Sequence, residues 1–129
     1  FISSWDLNYK SWKVQKKIPI KFIKYEDLTK QTYSIVFEII EFIYKITNNN
    51  NKINKNKLKN ALNSTTFEKL KDKEKIHGFS EAVSSITTND KITFFNLGPK
   101  NDWKKILNED LKNRINQIFE KNLKELSYI

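Results

Sequence analysis

The sequence predicts a mostly helical chain with one or two short strands. Residues 31–46 and residues 108–126 each carry apolar side chains at helical spacing, which indicates two amphipathic helices. Apolar residues alternate instead over residues 18–25, which indicates a strand. The 129 residues leave room for one domain.

The first third of the chain predicts a helix, a strand and a turn. Residues 4–16 are rich in Trp and Lys and predict a helix that Pro19 stops. The strand at 18–25 is apolar on both faces. Ile18, Ile20 and Phe22 lie on one face, and Ile23 and Tyr25 lie on the other. The acids at 26 and 27 then suit a turn or the first turn of a helix.

The helix predicted at 31–46 is apolar over most of its circumference. Its stripe and the residues that widen it are Tyr33, Ile35, Val36, Phe37, Ile39, Ile40, Phe42, Ile43, Tyr44 and Ile46. A helix this apolar must be covered on most sides. We therefore predict self-association or a swapped arrangement, through the exposed strand and the helix at 31–46.

The middle of the chain alternates short helices with polar segments. A polar linker at 48–51 precedes a short helix at 55–63. Thr65 and Glu68 have the spacing of a capping box, which predicts that another helix begins there. The Ser- and Thr-rich residues 76–93 predict a mobile loop of the kind that forms lids or binding segments. Residues 94–99 then predict an aromatic strand end and a tight turn.

The C-terminal part predicts a helical turn and a long helix. Asp102 suits the cap of a turn that carries Trp103. The helix at 108–126 has Glu109 and Asp110 at its positive end. Its predicted buried stripe is Leu111, Ile115, Ile118, Phe119, Leu123 and Leu126.

Composition narrows the function classes. The chain has no Cys and one His, which excludes a disulfide framework, a thiolate zinc site, a cysteine nucleophile and a His-rich metal site. No apolar run approaches the roughly 20 residues that span a bilayer. A net charge of +9 attracts nucleic acid or anionic lipid. Arg114 is, however, the only Arg among 24 basic residues, and phosphate and base recognition mostly uses Arg. We therefore favour a Lys-solvated surface over a nucleic-acid face.

Known catalytic motifs are absent from the sequence. It has no GxxxxGK[ST] loop, no GxSxG, no HExxH and no Ca²⁺ loop. The neighbouring acids Glu26 and Asp27 more often cap the next element than catalyse, and His77 has no partner nearby in sequence. We assign no catalytic residue and no metal ligand to this chain.

Three segments in a fixed order carry a family resemblance. They are Tyr25-Glu26-Asp27-Leu28, with Ser11-Trp12 before it, then Thr65-Thr66-Phe67, and then the aromatic–Gly–Asp–Trp–Lys pattern of residues 94–104. In this order and at these spacings, residues 3–126 resemble the C-terminal half of sulfotransferases that use 3′-phosphoadenosine 5′-phosphosulfate (PAPS). The resemblance implies an α/β, P-loop-like fold, with helices flanking a parallel sheet around a nucleotide site.

The resemblance also implies a set of binding residues. Tyr25 would contact adenine at the carboxyl end of a strand, where open parallel sheets hold ligands. Thr65 and Phe67 would enclose the adenine by hydrogen bonding and stacking. The loop around the 3′-phosphate would be Phe94, Phe95, Asn96, Leu97 and Gly98, with Trp103 anchoring the turn in the core. Without the resemblance, ordinary roles remain open for these residues: core aromatics for Tyr25 and Phe67, and a helix cap for Thr65.

The phosphate loop departs from the family pattern. Asn96 and Leu97 stand where the family carries an Arg-Lys pair, so two cations are lost. Lys100 and Lys104 are close enough in sequence to compensate. Asn101 replaces a second Gly of the turn.

The resemblance places residues 1–129 in the C-terminal portion of a single sulfotransferase domain. The family's N-terminal half holds the 5′-phosphosulfate loop and the catalytic His, and neither can be placed on this chain. The chain opens on Phe1 and has no Met, so we expect a fragment that is inactive alone. The complete enzyme would transfer a sulfuryl group from PAPS to a hydroxyl or amine of an unknown acceptor. We expect a cytoplasmic location, with no metal and no membrane span.

Two alternatives come from other classes of protein. The first is a small basic nucleic-acid-binding module, supported by the +9 charge and three Trp residues. The second is a non-catalytic helical interaction module, supported by the apolar helix at 31–46.

Overall fold

The computed structural model describes residues 3–129, except for the side chain of Lys100. Helices make up most of this part of the chain, in the order α1 (Trp5–Lys13), α2 (Tyr25–Lys30), α3 (Thr32–Ile46), α4 (Lys55–Ser64), α5 (Phe67–His77), a 3₁₀ helix (Gly98–Lys100), α6 (Trp103–Ile106) and α7 (Glu109–Glu125). Two compact units divide the chain. The terminal unit is built from both ends, up to Ile20 and from Asp102, and the central unit is Lys21–Asn101.

The long helices confirm the predictions made from local sequence. α3 and α7 lie where the apolar spacing predicts them, and α1 and α4 lie at the two other segments predicted to be helical. The starts of α4 and α7 follow from capping, because Asn54 and Asn108 accept hydrogen bonds from the backbone N–H groups of Lys57 and Leu111 at 2.9 and 2.8 Å. Such caps contribute about 1 kcal/mol each. Asp102 caps α6 as predicted, with 3.2 Å from its Oδ1 to the N–H of Lys104.

The predicted strands are wrong. Residues 19–24 have no regular secondary structure, and Tyr25 begins α2 rather than ending a strand. A lone strand leaves its backbone groups without a ladder partner, and Pro19 has no N–H to donate. Residues 94–97 also form no strand. Within residues 3–129, β pairing is limited to one antiparallel bridge between Ser84 and Lys91, in the segment predicted to be a mobile loop.

The junction between α4 and α5 lies one residue later than the capping box predicts. Thr65 ends α4, and its hydroxyl donates to the carbonyl oxygen of Ala61 at 2.9 Å. Thr66 caps α5 instead, with its Oγ1 accepting from the N–H of Lys69 at 3.4 Å. α4 continues to Ser64, so Thr65 is used to end one helix and cannot start the next.

The central unit has a thin core, and α3 is less covered than its sequence predicts. Leu58 is the one buried hydrophobic residue among those described, at 6% exposed. No residue of α3 is buried, and Tyr33, Ile43 and Ile46 are each more than 40% exposed. The strand that was to share in self-association does not form. Self-association through the α3 face therefore stays a prediction.

The terminal unit is held by contacts between α1 and α7. The ring of Trp5 meets that of Phe119 edge to face, with centroids 5.4 Å apart. Asn122 is buried at 5% exposed. The predicted stripe of α7 is confirmed at Phe119, Ile115, Leu123 and Leu126, which are partly buried. It is wrong at Ile118, which is 69% exposed, and Leu111 is 40% exposed.

Glu125 connects α7 to α1 through two polar contacts. Its Oε1 accepts a hydrogen bond from the Lys13 ammonium, and the hydroxyl of Tyr9 donates to the same oxygen at 2.6 Å. The Lys13 ammonium, followed by the Tyr9 hydroxyl, lowers the pKa of Glu125 below its usual 4.5. In return, the hydrogen bond to Glu125 raises the pKa of Tyr9 and the pKa of Lys13.

These shifts predict a pH dependence for the terminal unit. A lowered carboxyl pKa stabilises the folded state fully above about pH 4.5, and this stabilisation is lost as the pH falls through the lowered value. The raised pKa values of Tyr9 and Lys13 predict a second loss at alkaline pH, beginning above about pH 10. The thermal unfolding midpoint, measured by circular dichroism at a series of pH values, should fall at acid pH. We expect Glu125→Gln to make this fall, the acid limb of the plot, less steep.

Glu120→Gln is the matched control for that experiment. It removes the same charge from α7, but the partner of Glu120 is Lys124 on the same helix. The control should flatten the acid limb less than Glu125→Gln. Equal acid limbs in Glu125→Gln and the wild type would contradict the assignment.

None of the helices in the described part of the chain has the length and apolar character needed to cross a membrane.

Candidate functional site

A cavity of about 820 Å³ lies in the central unit, between α2, α3, α4 and the start of α5. This volume is typical of small-molecule sites. The residues from the α4–α5 junction that line it are Thr65, Thr66 and Phe67, and Pro99 closes it from the 3₁₀ helix. The cavity therefore brings together two of the three predicted adenine residues, Thr65 and Phe67.

The junction presents both an acceptor and an aromatic face. The hydroxyl hydrogen of Thr65 is donated to Ala61, so the lone pairs of Thr65 Oγ1 remain able to accept. Phe67 is the first residue of α5, directly after the Thr66 cap. Its ring lines the cavity and packs edge to face on the ring of Phe95, with centroids 6.0 Å apart.

Two lysines on one face of α4 give the cavity a positive wall. Lys55 and Lys59 are four residues apart, and both line it. Neither is paired with a carboxylate among the described residues. Glu68 is the acid on the cavity wall. Two ammonium groups against one carboxylate favour an anionic ligand.

Gly98 packs directly against Phe67. Its φ is +53°, a left-handed conformation that suits glycine. A Cβ atom at this position would lie 2.3 Å from the edge of the Phe67 ring, far inside van der Waals contact. The Gly98 backbone therefore helps to set the position of the ring that lines the cavity.

Residues 94–97 are fastened to α5 by a carboxylate. Glu74 Oε1 accepts from the N–H of Phe94 at 2.7 Å, and Oε2 accepts from the N–H of Phe95 at 2.9 Å. One turn earlier on α5, the Lys71 ammonium donates to the carbonyl oxygen of Asn96 at 2.9 Å. Charge-assisted bonds of this kind are stronger than neutral ones. α5 thus holds the loop from both a carboxylate and a cation.

Aromatic packing supports the same loop. The ring centroid of Phe79 lies 4.6 Å from that of Phe94 and 5.5 Å from that of Phe95. The ring centroids of Phe94 and Phe95 are 5.1 Å apart. Such pairs contribute about 1 kcal/mol each beyond their buried area. Phe94 and Phe95 therefore serve to pack the loop, and Leu97 is 48% exposed.

Tyr25 does not share the cavity with the other two predicted adenine residues. It is 61% exposed at the start of α2 and does not line the cavity, although Leu28 and Thr29 of the same helix do. Its contact with adenine stays a prediction. Trp103, predicted to anchor the turn in the core, is 52% exposed, with the Lys104 ammonium 5.7 Å from its ring centroid. The Lys100 side chain lies outside the described residues.

Sequence reasoning missed the residues that hold the loop. Lys71 and Glu74 lie in a charged run that reads as a solvated helix face, and Phe79 lies in the segment predicted to be mobile. The available signal was their spacing: a residue pair three apart on a helix shares one face. Across the described residues, no group of three or more Asp, Glu or His side chains is placed to hold a metal ion.

Residues 1–127 match the sulfotransferase domain. The chain therefore belongs to the sulfotransferase domain family, which confirms the family predicted from the sequence. That family implies a P-loop-like fold, whereas residues 3–129 are mostly helical.

Two curated relatives are similar to nearly all of this chain. Sulfotransferase 1B1 of Canis lupus familiaris is 26% identical over 121 residues, which are 93% of this chain and 38% of that protein. A flavonol sulfotransferase-like protein of Flaveria bidentis is 28% identical over 122 residues, which are 92% of this chain and 38% of the relative. The chain thus spans 38% of the length of either relative. No solved structure matches it significantly.

Proposed function

We propose that this chain is the C-terminal part of a PAPS-dependent sulfotransferase domain, in which it supplies the adenine wall and part of the 3′-phosphate loop. One observation carries the proposal. Phe67 lines the cavity and also packs against Gly98 and Phe95, so a single ring joins the adenine residues to the predicted phosphate loop. Adenine would stack on Phe67, and its amino group would donate to Thr65 Oγ1.

The complete domain would carry out an in-line transfer. The acceptor oxygen or nitrogen would bond to sulfur while the bond from sulfur to the 5′-phosphate oxygen breaks, leaving adenosine 3′,5′-bisphosphate. The acceptor proton would go to a base outside this chain. The residues of this chain bind and orient the nucleotide, and we expect the chain to be inactive alone. The proposal also includes a cytoplasmic location and no metal requirement. It leaves the acceptor unidentified.

Calorimetric titration with adenosine 3′,5′-bisphosphate tests the proposal, with 5′-AMP and a short single-stranded DNA as controls. We expect the bisphosphate to bind more tightly than 5′-AMP. Phe67→Leu keeps an apolar side chain but loses the stacking face, so it should weaken both nucleotides about tenfold. Phe79→Leu is the matched control, because Phe79 belongs to the same aromatic cluster but does not line the cavity.

Two results would reject the proposal. Salt-sensitive binding of DNA with no binding of either nucleotide would favour the basic nucleic-acid module. Equal losses in Phe67→Leu and Phe79→Leu would show that stacking in the cavity is not what binds the base.

A further inference from the structure

The predicted phosphate loop has no Arg or Lys at residues 96 and 97, but the folded chain places a lysine from α5 next to it. Asn96 and Leu97 supply no charge. The Lys71 ammonium, 25 residues earlier, lies 2.9 Å from the carbonyl oxygen of Asn96. Its side chain is partly buried, unlike that of Lys73 on the same helix. A cation therefore stands at the loop without being part of its sequence.

Two contacts hold this ammonium in place. It donates to the Asn96 carbonyl and lies 5.8 Å from the centroid of the Phe67 ring, within the range of a cation–π contact. The Asn96 carbonyl is in turn held by its neighbours, because Glu74 binds the N–H groups of Phe94 and Phe95. An ammonium has three donors, and the carbonyl uses one of them. The remaining donors are available to an anion.

The loop needs such a cation if it is to bind a phosphate. Glu74 already occupies the N–H groups of Phe94 and Phe95, and the N–H of Asn96 donates to the Phe94 carbonyl at 3.0 Å. Three backbone donors that could have faced a phosphate are thus used within the protein. The Glu74 carboxylate also repels an approaching anion. A nearby ammonium offsets both effects.

We propose that Lys71 binds and recognises the 3′-phosphate, in place of the Arg-Lys pair that the loop lacks. This inference rests on the proposed function and names the residue that sets specificity within that site. Phe67 is the link, because its ring lines the cavity and also lies beside the Lys71 ammonium. Lys71 does not itself line the cavity, so its ammonium would meet a 3′-phosphate that extends past the Phe67 ring toward the loop. The ammonium then distinguishes a nucleotide with a 3′-phosphate from one without.

The test measures preference for the 3′-phosphate rather than affinity alone. The preference is the dissociation constant for 5′-AMP divided by that for adenosine 3′,5′-bisphosphate. Lys71→Met keeps the apolar stem of the side chain and removes the charge. We expect it to lower the preference about tenfold, the size of one lost charge-assisted hydrogen bond, because the loss falls mainly on binding of the bisphosphate rather than of 5′-AMP. Circular dichroism checks that the variant keeps its helices.

Lys73→Met is the matched control. Lys73 lies on the same helix and is exposed, so its loss changes net charge by the same amount without removing a contact of the loop. We expect the preference to match the wild type. A similar loss in both variants would show a general effect of charge and would overturn the role of Lys71.

Rescue separates recognition from a structural role. Asn96→Arg in the Lys71→Met background returns a cation to the loop by another route. We expect this double variant to regain most of the preference. If Lys71 only fastened the Asn96 carbonyl, an arginine at 96 would not restore it. Failure of the rescue would therefore overturn recognition by Lys71.

The test also separates this inference from the proposed function. A wild type that prefers the bisphosphate, with a Lys71→Met variant that prefers it equally, would leave the nucleotide site standing and reject Lys71. A wild type with no preference, or with no nucleotide binding, would reject the proposed function and this inference together.

Discussion

Replacing Gly98 with Ala is expected to displace the Phe67 ring and to weaken adenine-nucleotide binding at least tenfold. The added Cβ would lie 2.3 to 2.6 Å from three ring carbons, so the ring or the backbone has to move. The positive φ of +53° adds about 1 kcal/mol of backbone strain. Because Phe67 lines the cavity, its displacement removes the stacking face, which accounts for at least the tenfold loss. Calorimetric titration measures the affinity.

Gly78→Ala separates the effect of the clash from that of the strain. Gly78 also has a positive φ, +72°, but nothing lies within 4 Å of a Cβ at that position. It should therefore cost stability and leave nucleotide affinity unchanged. A second comparison uses Phe67→Leu: adding Gly98→Ala to it should destabilise the chain less than adding it to the wild type, because the smaller side chain yields. Gly98→Ala that binds nucleotide as tightly as Gly78→Ala would refute the role of the Gly98–Phe67 contact.

Replacing Glu74 with Ala is expected to release the loop at 94–97. The N–H groups of Phe94 and Phe95 would lose a carboxylate that binds both of them, at 2.7 and 2.9 Å. Hydrogen bonds to charged groups contribute about 1.5–3 kcal/mol, and Glu74 is only partly buried, so we expect a loss of about 1–2 kcal/mol. Hydrogen exchange at the two amides should accelerate about tenfold or more, which nuclear magnetic resonance can follow residue by residue.

Glu74→Gln and Glu81→Ala make this measurement specific. Gln retains one acceptor oxygen but no charge, so exchange should be intermediate between wild type and Glu74→Ala. Glu81 is an exposed acid in the segment after α5, so its loss should leave exchange at Phe94 and Phe95 unchanged. Protection that survives in Glu74→Ala would mean that aromatic packing with Phe79, rather than the carboxylate, orders the loop.

Local patterns were enough to predict most of the helices and the family. The apolar spacing in α3 and α7 and the cap at Asp102 depend on residues within a few positions of each other, and the structure confirms them. The family follows from three ordered motifs, and the match over residues 1–127 confirms it. The two short strands failed because a strand is stable only beside another strand, and alternation in one segment cannot show whether a partner exists.

The candidate site likewise contains residues that local sequence predicts and residues that only the tertiary structure brings together. The sequence alone was sufficient to indicate Thr65, Phe67 and Gly98, because each belongs to a motif whose members are close along the chain. It could not show that Lys71 and Glu74 hold a loop 20 to 25 residues later, since that contact exists only when the chain returns to α5. Nor could it show that Tyr25 does not line the cavity, because Tyr25 begins α2 instead of ending the predicted strand. Capping and periodicity depend on residues that are close together in the sequence, whereas contacts between distant segments depend on how the whole chain packs.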